Sequence, residues 1–128
     1  MRSASTGRKL RGVVFSGSGE GAAYVELYRD QIALVLGSAP HPGTLNVALD
    51  ACFQDFVEVE KLVTINPPKQ GLGAVLACRG LLMGIPVLVI KPTITRHGCN
   101  VVEVVSAVNL RKHFELRDGD VVEITLLC

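Results

Sequence analysis

The chain has 128 residues, 48% of them hydrophobic and 20% charged, with 13 basic against 12 acidic side chains and a formal net charge of +1. That length and apolar content suit one compact domain with its own core. The near-neutral balance gives neither the basic footprint of a nucleic-acid binder nor a polyanionic tail, so any anion must be held by local geometry.

Residues 1–11, with Arg2, Arg8, Lys9 and Arg11 among serine and glycine, read as a flexible N-terminus without the apolar stretch of a signal peptide, and residues 12–128 as a single domain. A strand is predicted over Arg11–Phe15, running into the loop Ser16-Gly17-Ser18-Gly19-Glu20-Gly21. A helix is predicted over Tyr24–Leu36, because Tyr24, Tyr28, Ile32 and Val35 or Leu36 recur at helical spacing. Gly37 stands where a C-terminal cap belongs, and Pro40 and Pro42 forbid continuation. Strands follow over Thr44–Leu49, Phe56–Ile65, Gly73–Cys78, Pro86–Ile90 and Val101–Val105, then a helical turn at Leu110–Phe114. Asp118-Gly119 is a turn signal ahead of a closing strand at Val121–Leu127.

The most apolar stretch, Ala74–Ile90, is interrupted by Arg79, Gly80, Gly84 and Pro86, which fits paired strands and not a membrane helix. Cys52, Cys78, Cys99 and Cys128 lie far apart and form no zinc-type spacing with His41, His97 or His113. They are expected as reduced thiols of a cytoplasmic protein. Short strands with one helix and no regular strand-helix alternation indicate a mainly β fold, a small closed barrel, with an α/β sandwich as the second choice.

Gly17, Gly19 and Ala22 satisfy the loose pattern G-x-G-x-x-A, but a dinucleotide fingerprint needs an acidic residue about twenty positions on, where this chain has Pro40-His41-Pro42-Gly43. No Gly-Lys-Ser or Gly-Lys-Thr follows, so the loop is not a Walker loop either. Its backbone N–H groups and the positive end of the next helix suit a phosphate, and a tight turn without a ligand has equal standing from the loop alone. In Pro42-Gly43-Thr44-Leu45-Asn46-Val47 the alternation sends Leu45 and Val47 to the core, while Thr44 and Asn46 emerge on the other face about 7 Å apart. A hydroxyl and an amide oxygen are hard donors of the kind magnesium accepts when nucleotide phosphates supply the charge.

Glu103 interrupts an apolar strand and needs a partner, either a cation such as Arg96 or Arg111 or a ligand N–H or hydroxyl. Lys91–Gly98 has the composition of a binding rim, and Asn109-Leu110-Arg111-Lys112 offers an amide and two cations to a nucleotide.

The segments Ser16–Tyr24, Leu36-Gly37, Pro42–Asn46, Val102–Val105, Leu110-Arg111 and Asp118-Gly119-Asp120, in that order, resemble the archaeal CTP-dependent riboflavin kinases from about Gly12 to Leu126. The G-x-G-E-G loop and the P-G-T-L-N strand carry most of the specificity. The resemblance implies a six-stranded cradle-loop barrel with one or two short helices, moving the γ-phosphoryl group of CTP to the 5′-hydroxyl of riboflavin and giving FMN and CDP. It further implies nucleotide contacts at Gly17, Ser18, Gly19, Glu20, Gly21, Ala22, Val108, Asn109, Leu110 and Arg111, magnesium at Thr44 and Asn46, and flavin at Thr95 and Glu103. No catalytic base is assigned.

Thr93-Ile94-Thr95-Arg96-His97 departs from the family around the threonine and histidine. The partners implied are riboflavin and CTP for a monomer, with no membrane. The segment before Gly12 is too short for the helix-turn-helix domain of some relatives, so DNA binding is not expected. A non-catalytic flavin- or nucleotide-binding barrel is the alternative, which retention of both candidate metal ligands disfavours.

Overall fold

The computed structural model describes residues 8–128. It contains strands β1 (Arg8–Phe15), β2 (Leu45–Leu49), β3 (Val63–Ile65), β4 (Val75–Leu82), β5 (Ile85–Pro92), β6 (Val101–Ser106) and β7 (Val121–Leu126). Three short helices accompany them, α1 (Gly21–Leu27), α2 (Arg29–Leu36) and α3 (Leu110–His113). All pairings are antiparallel, in the order β3-β4-β5-β6-β2-β1-β7, and β7 pairs back onto β4, so six strands close into a barrel with β3 outside the ring.

Closure depends on how β4 shares one edge. Val75–Ala77 pair with β3, whereas Gly80–Leu82 pair with Ile124–Leu126 of β7. A Cβ on Gly80 would lie 2.7 Å from the Thr125 carbonyl oxygen, so a larger residue would push the closing strand away. The hairpin between β4 and β5 turns on Met83 and Gly84, both at positive φ, as a tight two-residue hairpin requires.

The alternation read in the sequence fills the barrel. Leu10 and Val14 of β1, Leu45, Val47 and Leu49 of β2, Val102 and Val104 of β6, and Val122, Ile124 and Leu126 of β7 all point inward and are buried. Each such side chain contributes about 1.5–3 kcal/mol of transfer free energy. A second core lies outside the ring, where Val25 of α1, Ile32 of α2 and Tyr28 between them cover Val75, Ala77, Leu88, Ile90 and Val105. That double coverage explains the unbroken run Val87–Ile90, buried on both faces of β5.

The structure corrects four local expectations. β1 begins at Arg8, because Arg8–Gly12 pair with Val122–Leu126 of β7; the flexible segment therefore does not reach residue 11, and its first seven residues lie outside the described ones. The single helix is two, since Tyr28 leaves helical torsion angles (φ −101°, ψ 15°), although hydrogen bonds still run from Tyr28 N–H to Tyr24 O and from Ile32 N–H to Tyr28 O. Only Val63–Ile65 of the strand expected over Phe56–Ile65 pairs. The preceding residues coil into single 3-10 turns that drop Phe53 and Val57 into the end of the barrel. Finally, the cysteines are not thiols: Cys52 joins Cys99 and Cys78 joins Cys128, with Cα–Cα distances of 4.7 and 5.5 Å. Sequence separations of 47 and 50 residues hid both pairs, which only strand pairing brings together.

No helix of the described residues is long and apolar enough to cross a membrane.

Candidate functional site

A cleft of about 600 Å³ opens where the ends of β1, β2, β5 and β6 meet the glycine loop and the loop between β5 and β6. The glycine loop forms one wall because it carries no side chains where it crosses β2. A Cβ on Gly17 would collide with the Asn46 amide, and one on Gly21 with the Thr44 hydroxyl. Gly19 between them sits at φ +85°, a torsion that favours glycine. The G-x-G-x-G spacing thus lays backbone directly over the two oxygen-donor side chains.

Strand register arranges the floor. Asn46 lies opposite Phe15 on one side and Glu103 on the other. Thr44 donates its hydroxyl hydrogen to Glu103 Oε1 at 2.7 Å. Within the protein the partner of Glu103 is therefore not the cation expected, Arg96 or Arg111, but a threonine, which spends its single proton on the carboxylate and keeps both lone pairs free. Thr44, Asn46 and Glu103 together present hydroxyl, amide and carboxylate oxygens in a space that the glycines leave open. That donor set suits a hard divalent cation which takes most of its charge from phosphates. Among the described residues no group of three or more His, Cys, Asp or Glu is placed to hold a metal ion.

The entrance to the glycine loop is fixed from below. Ser16 donates to both Asp118 carboxylate oxygens at 2.9 and 2.8 Å, and Arg111 Nη1 pairs with Asp118 Oδ1 at 3.1 Å. The Ser16 hydroxyl first, and then the Arg111 guanidinium, hold the Asp118 carboxyl below the usual carboxylate range. Asp118, read from sequence as part of a turn, also ties the glycine loop to α3. A side pocket of about 180 Å³ adjoins this point, lined by Val108, Asn109, Leu110 and Arg111 and sharing Gly43, Thr44 and Arg111 with the cleft. Asn109 caps α3, its side-chain oxygen accepting from Lys112 N–H at 3.1 Å, which leaves the amide NH₂ available.

The opposite wall is Thr93–Asn100. At one foot, Thr93 bonds the Ala74 carbonyl through both N–H and hydroxyl. At the other, Lys91 Nζ donates to Gly98 O at 2.6 Å and Val101 O at 2.7 Å, and the Cys52–Cys99 disulfide adds a covalent tie. Burial lowers the Lys91 pKa, and Glu103 opposes that shift. Between the feet, the Thr95 hydroxyl accepts from His97 N–H at 3.1 Å, and the His97 ring meets Phe15 edge to face at 6.0 Å.

The family model of the CTP-dependent riboflavin kinase domain, described as Domain of unknown function DUF120, matches residues 14–126. The chain belongs to this family. It is 49% identical over 118 residues to a riboflavin kinase of Staphylothermus marinus, covering 92% of this chain and 91% of that protein. It is 42% identical over 127 residues to a riboflavin kinase of Pyrobaculum arsenaticum, covering 93% of this chain and 60% of that protein. The chain thus spans nearly all of one relative and about three fifths of the other.

In this riboflavin kinase family member, the residues of the glycine loop, Thr44, Asn46, Thr95, Glu103 and Arg111 share the main cleft, and Val108, Asn109 and Leu110 lie in the side pocket. Sequence reasoning gave Tyr24 no role in the site and placed Arg96 only within the binding rim Lys91–Gly98 and as a possible partner of Glu103; both line the cleft. Tyr24 was read as part of a helical apolar stripe, and its ring does stack on Tyr28 at 4.6 Å. Its hydroxyl, however, is buried without a hydrogen-bond partner among the described residues, whereas that of Tyr28 donates to Gly73 O at 2.6 Å. Burial first, then Tyr28 and Glu103, push Tyr24 ionisation above the usual phenol range, so its hydroxyl keeps its proton.

Proposed function

We propose that this protein is a riboflavin kinase that transfers the γ-phosphoryl group of CTP to the 5′-hydroxyl of riboflavin, using magnesium and releasing FMN and CDP. The observation that carries this reading is the hydrogen bond from Thr44 to Glu103, on the floor between the glycine wall and the Thr93–Asn100 wall. It couples the oxygen donors on the nucleotide side to the carboxylate assigned to the acceptor. Membership of a family whose name specifies CTP, and relatives named riboflavin kinase, support the choice of substrates.

Phosphoryl transfer needs positioning and charge neutralisation more than covalent help from the protein. Backbone N–H groups of Gly17 to Ala22 hold phosphate oxygens beside the magnesium ligands, since the absence of side chains at Gly17 and Gly21 lets the loop lie directly against Asn46 and Thr44. Val108 to Arg111 hold the nucleoside in the side pocket, with the Asn109 NH₂ as its free donor. Thr44 and Asn46 supply the protein oxygens for magnesium, which when bound neutralises phosphate charge. Thr95 and Glu103 orient the flavin. The riboflavin 5′-oxygen forms the new bond to the γ-phosphorus, the bond to the β,γ-bridging oxygen breaks with its electron pair staying on CDP, and the hydroxyl proton passes to Glu103. Oε1 of that carboxylate is occupied by Thr44, which leaves Oε2 for the acceptor.

Incubating the protein with riboflavin, magnesium and either CTP or ATP, and following FMN by chromatography, tests this. FMN with CTP alone is the expected result. FMN with both nucleotides retains the kinase and removes the donor assignment; folded protein giving none with either shifts the reading to a flavin- or nucleotide-binding barrel.

A further inference from the structure

Few of the charges lining the cleft are free to meet the phosphates of the reaction proposed above. Two carboxylates, Glu20 and Glu103, face two guanidiniums, Arg96 and Arg111. Arg111 is already engaged, with Asp118 at 3.1 Å and with the Phe15 carbonyl at 3.3 Å. Lys91 is spent on the Gly98 and Val101 carbonyls and does not line the cleft. The glycine loop has no lysine to match that of a Walker loop. A triphosphate entering this space meets one cationic side chain, Arg96, that forms no ion pair among the described residues.

Arg96 also stands in the right place for chemistry. It follows Thr95 in the wall assigned to the acceptor, and both line the cleft with the glycine loop, Thr44 and Asn46. The feet of its loop are held by Thr93 on Ala74, by Lys91 on Gly98 and Val101, and by Cys99 on Cys52, while Thr95 and His97 tighten the segment around it. The anchored feet fix where the Arg96 backbone stands at the cleft, so placing its guanidinium against a phosphate costs only side-chain entropy and not the ordering of a free tail as well.

We propose that Arg96 is a catalytic residue, the cation that stabilises the negative charge on the γ-phosphoryl oxygens as they pass from CTP to the flavin hydroxyl. The inference rests on the riboflavin kinase reading. Its stabilisation is greatest while the phosphoryl group lies between donor and acceptor, so it acts on kcat more than on ground-state binding. Arg96 accepts no proton and forms no bond to phosphorus.

The test compares wild type with Arg96→Ala, Arg96→Gln and Arg96→Lys under saturating magnesium, measuring kcat, both KM values and, by calorimetry, the CDP dissociation constant. Arg96 is exposed, and the variants are expected to melt with wild type. The Ala and Gln variants should lose about 10²- to 10³-fold in kcat, with KM values and CDP affinity changed less than about threefold. The Lys variant should retain intermediate activity. Added guanidinium at low, non-denaturing concentration should raise kcat of the Ala variant by about tenfold, leaving wild type unchanged; urea at the same concentration should do nothing. Unchanged kcat in the Ala variant, or a loss confined to KM and CDP affinity, would overturn the assignment. Wild type that forms no FMN with any nucleotide would instead remove the kinase reading on which it rests.

Discussion

The glycine loop Ser16–Ala22 and the loop Thr93–Asn100 form two walls of one cleft, but they obtain their shape in different ways. The first is laid on β2, with Gly17 against Asn46 and Gly21 against Thr44, and its entrance is fixed through Ser16 and Asp118. The second is fastened at its feet by Lys91, Thr93 and the Cys52–Cys99 disulfide, and it offers side chains, Thr95, Arg96 and His97, between them. One wall thus works through close backbone, which no substitution can mimic, and the other through exchangeable groups on an anchored frame. A phosphate chain common to all nucleotides suits the first; an acceptor requiring individual recognition suits the second.

Apart from the Arg96 variants, the largest expected effect comes from placing a methyl group in the backbone wall. Gly21→Ala pushes on the Thr44 hydroxyl, and since misplacement by about 1 Å can cost about 10²-fold, FMN formation should fall by about that factor. Circular dichroism should remain that of wild type. A Gly21→Ala enzyme with full turnover would show that the loop does not need to sit this close.

Far from both walls, Cys128→Ser removes the tie between the C-terminus and buried Cys78, closing a loop with a sequence separation of 50 residues. Denaturant melts should show a loss of about 2–4 kcal/mol, with kcat of the remaining folded enzyme unchanged.

A smaller effect is expected at Asp118. Its folded pKa is depressed, so the stability it contributes is complete above the unfolded value of about 3.9 and is lost as pH falls through the lower folded value. Asp118→Asn should therefore flatten the acid side of the stability profile below about pH 4 and leave stability at neutral pH nearer that of the acidified wild type. Parallel acid limbs in the two proteins would contradict this.

The smallest change is Tyr24→Phe, which deletes a hydroxyl that has no partner among the described residues. Thermal melts should show a neutral or slightly stabilising effect, within about 1 kcal/mol, because the stacking on Tyr28 is kept.

Alternation made the barrel legible. Leu45, Val47 and Leu49, and likewise Val122, Ile124 and Leu126, occupy the inner face that a period of two predicts. Phe56 and Val57 misled because β-forming residues were read as the start of a strand running to Ile65, whereas they pack against the barrel core next to the 3-10 turn Phe53–Asp55. The break at Tyr28 left no mark in the helical spacing.

At the site, Thr44 and Asn46 were legible as two side chains on one face, yet the bond from Thr44 to Glu103 is across 59 residues and depends on the register between β2 and β6. Residue type suggested a cation or a ligand group as the partner of Glu103; within the protein, geometry placed the Thr44 hydroxyl there. The disulfides were hidden for the same reason, since the thiol expectation came from compartment and spacing, and neither encodes which strands meet. Arg96 carried no motif of its own and was read only as part of the rim and as a possible partner of Glu103; the proposal for it arises from finding Arg111 ion-paired and Lys91 bonded to backbone carbonyls.

The most direct test of the account is a magnesium titration of FMN formation by wild type and by Asn46→Ala, at saturating riboflavin and CTP. If the floor between the two walls holds the metal, the magnesium concentration for half-maximal activity should rise by about 10- to 100-fold in the variant, with activity partly recovered at high magnesium. Superimposable magnesium curves for the two proteins would contradict the assignment of that floor as the metal site.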